Sequence, residues 1–495
     1  MSEHEPRTSA PSSPMTMADL DFTPIREKYE LREEFPAEVE SAAKNAKDAF
    51  AGSRVDARDL AFVTIDPPGS KDLDQAVLIE RGTEAGETGF TLHYAIADVG
   101  AFVAPGSPID VEARERGETI YLPDGNVPLH PRILTEDVAS LVAGQDRPAV
   151  LWQLECDDTG ALTRARVRRA TIQVRERLDY VTLQSSVDRG EPLPESVTLL
   201  PEFGALREAL GRTRGAVELQ LPEQDLHFDE GSWHLRLEPR TQMDGWNAEC
   251  SLATGFAAAR MMLAGRVGLL RTLPAPDEET VAQFFRAARA LGIEPDGAQS
   301  PGELLSTLDP AHPSTMALNS AATRLLRGSG YLAFEGEPEN GKTWHAGVAS
   351  EYAHATAPIR RLGDRFVSEV CLSFDADWVE LRDHSLQLQG EVPKAILEAL
   401  PELPGLLQQS GQRAGAVANE AINLAEAVAL QDRVGQEFDA GLLRAGDGDH
   451  HAEIFVFDPP VIAQCRGDVP VGEQARVRLV EADAATRKVR FAYPA

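Results

Sequence analysis

Cysteine is scarce in this sequence of 495 residues, and its four copies lie far apart. Cys156, Cys250, Cys371 and Cys465 form no C-x-x-C pair. This spacing argues against a structural zinc site and against a disulfide framework, and it is typical of a protein in a reducing cytosol. We therefore expect a cytoplasmic protein.

Signals for export or membrane insertion are missing as well. The first residues, MSEHEPRTSAPSSPMTMADLDF, have neither a basic start nor an apolar centre, and their Ser, Pro and Thr content predicts a short disordered tail. The most apolar stretch, SLATGFAAARMMLAG, contains Arg260 and is rich in alanine, so it predicts a packed helix rather than a membrane span. No association with a membrane is expected.

Basic residues are in deficit, because 48 lysines and arginines stand against 79 aspartates and glutamates, which gives a net charge of −31. This balance argues against a general nucleic-acid binder, whose surface should be basic. Basic residues nevertheless recur in alternation in two stretches, with Arg164, Arg166 and Arg168 in the first and Arg476, Arg478, Lys488 and Arg490 in the second. Such alternation predicts strands with one basic face, which either is solvated or faces a phosphate backbone.

The apolar pattern predicts an α+β protein that ends in a small barrel. Residues 35–50 have the spacing of a helix, and from about residue 61 β-branched and aromatic runs alternate with glycine-rich turns, as strands do. Residues 247–436 are mostly helical in pattern. The last sixty or so residues predict five short strands, which suit a barrel of the OB type.

Three aspartates surround a Pro-Pro-Gly turn in FVTIDPPGSKDLDQAVLIE, residues 62–80. Asp72 and Asp74 are two residues apart, so in an extended segment their side chains project to the same side. The turn can bring Asp66 back beside them. Such a cluster suits Mg²⁺ or Mn²⁺, which bind through a few carboxylates and a substrate phosphate. A solvated acidic turn explains the same spacing.

A second pattern lies in EYAHATAPIRRLGDRFVSEVCLSF, residues 351–374. Its apolar stripe predicts a helix that begins at Pro358, with Arg360 and Arg361 in the first turn. Cations at a helix N-terminus oppose the helix dipole, unless an anion docks there against the free N–H groups and the guanidinium groups. The alternative is a local ion pair between Arg360 and Asp364.

Four motifs in this order resemble one known family. The motifs are TIDPPGSKDLDQAV, the long stretch from HYAIADVGAF to ILTEDVASL, NAECSLATGFAAAR and YAHATAPIRRLGD. Together they resemble the RNB domain, the catalytic domain of the ribonuclease II family of 3′→5′ exoribonucleases, over roughly residues 61–433. The resemblance implies an α+β catalytic domain, with a mixed sheet surrounded by helices, over residues 58–433. It also implies an S1-like OB-fold barrel over residues 434–495, and residues 1–57 are expected to form the tail and a short helical region.

The resemblance also implies roles for individual residues. Asp66, Asp72 and Asp74 occupy three of the four aspartate positions that bind Mg²⁺ in the family, and Gln75 occupies the fourth, where its amide oxygen can still be a ligand. Arg360 matches the family's essential arginine, although alanine replaces the usual serine before Pro358. Asp72, Asp74 and Arg360 are therefore the predicted catalytic residues.

Further positions are expected to contact RNA. Tyr121 matches the tyrosine that stacks on a nucleotide at the 3′ end, and Tyr180 matches a tyrosine that contacts RNA. Glu249 and Glu420 match acidic positions in the family's RNA tunnel, and Arg361 adjoins the essential arginine. The aromatic partner that the stacking tyrosine has in some members is Leu219 here, which predicts a one-sided clamp.

The expected function is that of a 3′→5′ exoribonuclease, which hydrolyses single-stranded RNA with Mg²⁺ and releases nucleoside 5′-monophosphates. The protein is expected to be a monomer. The alternative is a catalytically weak or inactive RNA-binding protein of the same fold, because Gln75 departs from the family pattern. Family members usually carry two cold-shock barrels before the catalytic domain, and only about sixty residues precede AFVTID here. We therefore expect RNA to enter a less covered channel.

Overall fold

The computed structural model describes residues 15–16, 20–83, 86–217, 219, 223–229, 232–238, 241–297, 299–309, 312–446, 451–472 and 474–495. Most of the predicted N-terminal tail lies outside these residues, so its disorder stays a prediction. Within the described ranges, no helix combines the length and the apolar character that crossing a membrane requires.

The strands, numbered in chain order, are β1 (Met15–Thr16), β2 (Val55–Asp56), β3 (Phe62–Ile65), β4 (Gln75–Thr83), β5 (Gly86–Ala97), β6 (Ile120–Leu122), β7 (Gly125–Val127), β8 (Asp146–Cys156), β9 (Leu162–Leu178), β10 (Glu223–Asp229), β11 (Ser232–Glu238), β12 (Val267–Thr272), β13 (Gly330–Glu335), β14 (Trp344–His345), β15 (Ser350–Glu351), β16 (Val379–Glu380), β17 (Glu437–Arg444), β18 (Ala452–Phe457), β19 (Pro460–Arg466), β20 (Gln474–Asp483) and β21 (Lys488–Ala492).

The α-helices are α1 (Thr23–Lys28), α2 (Ala37–Asn45), α3 (Pro108–Arg116), α4 (Tyr180–Asp188), α5 (Leu200–Arg214), α6 (Gln242–Gly265), α7 (Glu278–Ala290), α8 (Pro301–Ser306), α9 (Pro313–Ala322), α10 (Leu362–Leu372), α11 (Lys394–Ala399) and α12 (Leu403–Leu430). Short 3-10 segments cover Val99–Ala101, Glu195–Val197, Thr323–Leu326, Leu400–Glu402 and Gln431–Arg433, and Leu134–Val138 form a π-helical turn.

A seven-stranded mixed sheet forms the centre of the larger part of the molecule. Its strands lie in the order β16, β9, β3, β4, β5 and β8, and β2 pairs with β9 outside that path. β2 and β3 run parallel to β9, whereas the other neighbours are antiparallel. Because the long strand β9 pairs with β8 as well as with β3, the sheet curls back on itself. The predicted mixed sheet is confirmed.

Helices cover both faces of this sheet. Successive residues of a strand point to opposite faces, so Tyr94 packs on one side and Ala95 on the other. On the first side lies α6, whose small buried alanines, beside Met261, allow it to pack closely on the strands. On the second side, α2 contributes Val39 and α3 contributes Ile109.

The helix predicted over residues 35–50 forms, but it is shorter. Helix α2 ends at Asn45, and the next residue, Ala46, is extended with a ψ of 136°. Asp48 then accepts a hydrogen bond from the Phe50 N–H at 2.9 Å and binds Arg54 Nε at 2.6 Å. These side-chain contacts turn the chain and end the helix early.

The mostly helical stretch predicted over residues 247–436 is interrupted by the antiparallel pair β12–β13. Between these two strands lie α7, α8 and α9, which form a small core of their own that includes Phe284 and Leu318. Helix α9 also packs on the C-terminal barrel, where Met316 contacts Phe455. The inserted helices therefore connect the β12–β13 pair with the barrel.

The C-terminal strands form a closed five-stranded barrel in the order β17, β18, β19, β21 and β20, as predicted. Its apolar interior continues into the face of α12, which contributes Val417, Ala421 and Ala425 to the same cluster. The backbone N–H of Ile462 donates to Glu426 Oε1 at 2.9 Å, so α12 also holds the barrel through a polar contact.

Candidate active site

The acidic loop runs from Asp66, directly after β3, to Asp74, directly before β4. The glycine of its Pro-Pro-Gly turn takes a φ of 90°, a conformation that other residues rarely adopt. Ser140 fixes the middle of the loop, because its Oγ donates to the Lys71 carbonyl at 2.7 Å and accepts from the Leu73 N–H at 3.0 Å. The positions of the carboxylates are thus set by a bonded backbone.

Two carboxylates of this loop are shielded from water. Asp74 is 3% exposed, and its Oδ1 accepts a hydrogen bond from the Ile359 N–H at 2.8 Å. The Oδ2 atoms of Asp66 and Asp74 are buried and receive no hydrogen bond from any described residue. The pKa of Asp74 is raised to about 8 and that of Asp66 to about 6, mainly by burial; the charge of Asp72 contributes to both rises, and the charge of Arg360 opposes them.

This donor set fits a divalent cation that prefers oxygen ligands. Shielded carboxylate oxygens are stabilised when a cation binds them, and three acidic side chains on one loop supply such oxygens. In the described part of the chain, however, no three Asp, Glu, His or Cys side chains already form a metal cage. Water and a substrate phosphate would have to complete the coordination shell, as they commonly do for Mg²⁺.

The segment before α10 carries two arginines, and here the prediction of a helix from Pro358 is wrong. Helix α10 begins only after Arg361, which is extended with φ −128° and ψ 124°. The reason is a long-range pairing: Arg361 forms a β-bridge with Glu118, and the Arg360 carbonyl accepts from the Thr119 N–H at 2.9 Å. These contacts hold Arg361 extended, so the turn before it, which the Arg361 N–H closes by donating to the Ala357 carbonyl at 2.8 Å, does not continue into α10.

The two arginines bind different carboxylates. Arg360 Nε lies 3.3 Å from Asp74 Oδ2, and its side chain remains 45% exposed. Arg361 binds Asp364 Oδ2 through Nε at 3.1 Å and Nη2 at 2.7 Å. The local pair predicted between Arg360 and Asp364 is therefore wrong, because Arg361 takes that partner. Arg360 stays accessible to an anion.

Asp364 is a residue of the site to which the sequence assigned no role beyond a local pair. It is 1% exposed, and its Oδ2 also accepts from the Ala357 N–H at 2.8 Å. One oxygen thus binds residues 357 and 361, on both sides of Arg360. The only sequence signal is an aspartate in the first turn of a helix, where the dipole favours it.

Gln75 links the acidic loop to residues 356–361, the segment that carries the two arginines and that we call the arginine loop. Gln75 is the first residue of β4, and its side-chain Nε2 donates to the Thr356 carbonyl. A carboxylate at this position could not donate that hydrogen bond. The amide therefore has a structural partner of its own in this chain.

Tyr121 lies beside the acidic loop on the hairpin formed by β6 and β7. Its hydroxyl donates to Asp72 Oδ2 at 2.7 Å, while 48% of the residue is exposed. Partial burial of the hydroxyl, together with the charge of Asp72, raises the pKa of Tyr121. A cavity of about 320 Å³ adjoins this ring and is lined by Lys71, Asn126 and Arg132, among others.

Residues 54–372 match the model of the RNB domain, and residues 436–493 match that of the RNase II-type exonuclease C-terminal S1 domain. The chain belongs to the RNB family. Ribonuclease R of Escherichia coli strain K12 is 30% identical over 350 residues, which are 68% of this chain and 40% of that protein. Ribonuclease R of Chlamydia trachomatis serovar D is 31% identical over 365 residues, which are 71% of this chain and 51% of that protein. The chain thus spans about half the length of these relatives or less.

The fold agrees with a solved structure of Mycoplasma genitalium RNase R in complex with ribose methylated single-stranded RNA. The TM-score is 0.81 at 19% identity, and the match covers 95% of this chain and 77% of that one. The likeness supports an RNB fold followed by an S1-type barrel. Nucleases of the RNB family depend in general on a divalent metal.

Tyr180, another position carried over from the RNB family, adjoins the same site. It is the first residue of α4, and its hydroxyl accepts a hydrogen bond from Asn247 Nδ2 at 2.9 Å. Burial raises the pKa of Tyr180, and the charge of Asp66 contributes to the rise. The structure therefore brings Tyr180 near the first aspartate of the acidic loop.

The other RNB-family positions have different surroundings. Glu249 is buried on α6, with Oε2 at 3.4 Å from Arg207 Nε. Glu420 on α12 binds Lys28 and Arg487, and so connects the N-terminal region, α12 and the barrel. Leu219 packs against the small core of α7, α8 and α9. Their expected contacts with RNA stay predictions.

The first arginine stretch is part of a polar network on the sheet. Arg164 Nη2 lies 2.7 Å from Glu155 Oε2, and Arg166 and Arg168 both donate to Gln153 Oε1 at 2.9 Å. These side chains are half-buried. The strand is therefore neither simply solvated nor an open basic surface, because protein groups bind its arginines.

The second arginine stretch lies on the S1-type barrel and is more open. Arg476 Nη1 lies 3.2 Å from Asp439 Oδ1, and Arg478 Nη2 lies 3.3 Å from Glu437 Oε1. About half of each arginine side chain is exposed. Exposed pairs of this kind are weak, so both arginines can exchange their carboxylate for a phosphate.

Proposed function

We propose that this RNB-family chain is a 3′→5′ exoribonuclease that hydrolyses single-stranded RNA with Mg²⁺ and releases nucleoside 5′-monophosphates. The observation that carries the proposal is the placement of the shielded Oδ2 atoms of Asp66 and Asp74 beside the exposed guanidinium of Arg360. Buried acidic oxygens next to an accessible cationic side chain suit a phosphodiester that binds together with a divalent ion.

Asp66, Asp72 and Asp74 would hold Mg²⁺, or Mn²⁺ in its place, and the amide oxygen of Gln75 would be the fourth ligand. Asp74 Oδ1 is already bound by the Ile359 N–H, so Oδ2 remains for the ion. When bound, the ion supplies a Lewis acid that activates water and offsets negative charge.

Arg360 would stabilise the charge that develops on the phosphate. In the reaction, water attacks the phosphorus of the last phosphodiester and the bond from phosphorus to the 3′ oxygen breaks. The shortened RNA keeps a 3′ hydroxyl, and the released nucleotide carries the 5′ phosphate. A preorganised guanidinium facing the non-bridging oxygens lowers the barrier of such a step, and Asp364 holds the loop on both sides of Arg360.

Tyr121 would bind the 3′-terminal nucleotide. Its ring is half exposed beside the cavity, while its hydroxyl is fixed by Asp72, so a base can stack on the ring without being read. Tyr180 would contact the same strand near Asp66. Three more residues would support RNA binding through the elements that their ion pairs hold. Arg361 pairs with Asp364, and Glu249 pairs with Arg207. Glu420 pairs with Lys28 and Arg487.

We further propose that residues 1–57, 58–433 and 434–495 act as a leading region, a catalytic domain and an RNA-binding barrel. The exposed arginines of the barrel support a role in guiding the RNA backbone. The protein would act as a monomer in the cytoplasm. The four cysteines are buried free thiols, as a reducing compartment allows.

A 5′-labelled single-stranded RNA of about 25 nucleotides tests the proposal, because each released mononucleotide shortens the labelled fragment from the 3′ end. We expect a Mg²⁺-dependent ladder of labelled fragments, unlabelled nucleoside 5′-monophosphates that chromatography of the same reaction detects, and no reaction in EDTA. DNA of the same sequence is the matched control. Binding without cleavage would favour an inactive RNA-binding protein. A protein that neither binds nor cleaves the RNA would contradict both functions.

A further inference from the structure

A segment near the N-terminus, residues 20–36, lies against the hairpin that carries Tyr121. We call this segment the strap, and we call residues 120–127 the tyrosine hairpin. One apolar cluster contains side chains of both, namely Leu20, Phe22 and Ile25 from the strap and Ile120, Leu122 and Val127 from the hairpin. The strap and the inner face of the hairpin therefore belong to one apolar core, while the Tyr121 hydroxyl donates to Asp72.

An ion pair ties the strap to the tip of the hairpin. Arg26 Nη1 and Nη2 donate to the two carboxylate oxygens of Asp124 at 3.0 and 2.8 Å. Asp124 lies in the two-residue turn between β6 and β7. Arg26 Nε also donates to Glu33 Oε1 at 2.7 Å, which orients the guanidinium from within the strap. Bidentate pairs of this geometry are the strong, directional class of ion pair.

A buried guanidinium ties the strap to the base of the hairpin. Arg116 is 6% exposed and donates to the carbonyls of Arg32 at 2.8 Å and Glu34 at 2.9 Å. The same side chain donates to the carbonyl of Pro128, directly after the hairpin, at 3.0 Å. The ring of Phe35 lies 3.7 Å from it. The strap is thus attached at both ends of the hairpin.

The tyrosine hairpin needs such support. Each of its strands has three residues, and an isolated two-stranded hairpin is marginally stable in water at best. Its outer face carries the half-exposed Tyr121, so packing must come from the inner face. Helix α12 packs on β6, and the strap shares the apolar cluster that they form.

We infer that the strap positions Tyr121 for the 3′ end of the RNA, with Arg26 and Asp124 as the positioning residues. This inference rests on the proposed function, because it takes Tyr121 as the residue that stacks on the terminal nucleotide. Neither Arg26 nor Asp124 has to touch RNA; the pair fixes the hairpin whose opposite face binds it.

The same hairpin is connected to the arginine loop. The Thr119 N–H donates to the Arg360 carbonyl at 2.9 Å, and the Leu362 N–H donates to the Gly117 carbonyl at 3.0 Å. These bonds lie at the base of the hairpin, where Arg116 also acts. Loss of the tip pair should therefore loosen Tyr121 more than Arg360, so the effect should fall on KM rather than on kcat.

Kinetics with a short RNA oligonucleotide test the inference through Arg26→Ala and Asp124→Ala. We expect each variant to raise KM about fivefold, the effect of losing one bidentate pair, with kcat within about twofold. Arg32→Ala is the matched control, because Arg32 is on the strap but its side chain pairs with Glu115 and, at 3.8 Å, with Glu112, both on α3 and neither on the hairpin. It should leave KM unchanged.

A double-mutant cycle with Tyr121→Ala separates positioning from general loosening. If Arg26 acts through Tyr121, then Arg26→Ala in the Tyr121→Ala background should leave KM unchanged. A fivefold effect that persists in that background would overturn the inference, as would an unchanged KM in the single variant.

Hydrogen exchange provides a readout that does not depend on catalysis. Arg26→Ala should increase amide exchange over residues 120–127 about tenfold, and Arg32→Ala should not. Unchanged exchange in Arg26→Ala would overturn the inference even if the enzyme is active. Absence of cleavage by the wild-type protein would refute the proposed function, and the exchange result would still decide whether the strap holds the hairpin.

Discussion

Replacing Asp74 with asparagine should abolish RNA hydrolysis and, in the metal-free protein, increase stability. The pKa of Asp74 is about 8 in the folded protein and 3.8 in its reference state. At pH 7 the unfolded chain has released a proton that the folded protein retains, which opposes folding by about 4 kcal/mol at most. Asparagine removes this cost, because it carries no charge.

Part of the gain should be lost. Asparagine keeps an oxygen for the Ile359 N–H, but its buried NH2 group then lies beside the Arg360 guanidinium, about where Asp74 Oδ2 is 3.3 Å from Nε, and finds no acceptor there among the described residues. We therefore expect a net stabilisation of about 2 kcal/mol, or a rise in Tm of about 2 °C for a chain of this length.

Thermal unfolding in EDTA over a pH series measures this effect and its sign. Because the pKa of the acid is raised on folding, the cost is absent below pH 3.8, grows up to pH 8 and is complete above it. The advantage of Asp74→Asn should follow the same course. Asp72→Asn is the matched control on the same loop, since Asp72 is more exposed, and it should give a much smaller gain.

Mg²⁺ should make the wild-type protein more stable than Asp74→Asn, which reverses the order of stability expected in EDTA. The wild-type protein gains stability when it binds the ion, whereas Asp74→Asn lacks a ligand and gains less. A variant that is less stable than the wild type in EDTA at pH 8 would refute the idea that burial holds Asp74 in an unfavourable state. Undiminished hydrolysis by the variant would remove Asp74 from the catalytic residues.

Three further predictions concern the same site. Arg360→Ala should lower kcat about 100-fold and change RNA affinity far less, because the guanidinium acts on charge that develops in the reaction; single-turnover kinetics and filter binding would show this, and a pure binding defect would contradict it. Gln75→Glu should reduce activity rather than improve it, since the carboxylate cannot donate to the Thr356 carbonyl; a gain in kcat would refute this structural role for the amide. The Mg²⁺ concentration for half-maximal activity should rise about tenfold per pH unit from pH 8 to 6, because Asp74 and then Asp66 must release protons to bind the ion, and a pH-independent requirement would contradict the raised pKa values.

The barrel and the sheet could be predicted from the sequence because local patterns specify them. Alternating residues such as Arg476, Val477 and Arg478 keep one face apolar, and that face closes the barrel interior. The start of α10 could not be predicted in this way. Its apolar stripe extends back to Ile359, but pairing with Glu118, far away in the chain, keeps Arg361 extended and separates α10 from the turn before it.

The acidic loop shows the same limit at the site. Its spacing predicts neighbouring carboxylates, but spacing does not distinguish a metal loop from a solvated turn. Burial distinguishes them, and it depends on Ser140 and Ile359, which come from distant segments. The partner of Gln75 likewise comes from a distant loop, so the sequence predicted only a weaker metal ligand at this position.

Among the described residues, polar contacts as well as apolar packing attach the barrel to two helices, α9 and α12. Arg487 binds Glu420, the Ile462 N–H binds Glu426, and α9 contributes Ser314, whose Oγ donates to a barrel carbonyl at 3.3 Å. A domain attached at one point can rotate about it, and a domain attached at two points can rotate about the line that joins them. Contacts at separated points restrain such motion, so we expect the barrel to move together with α9 and α12. If the proposed RNA degradation takes place, the RNA strand would then move past a barrel that keeps its position.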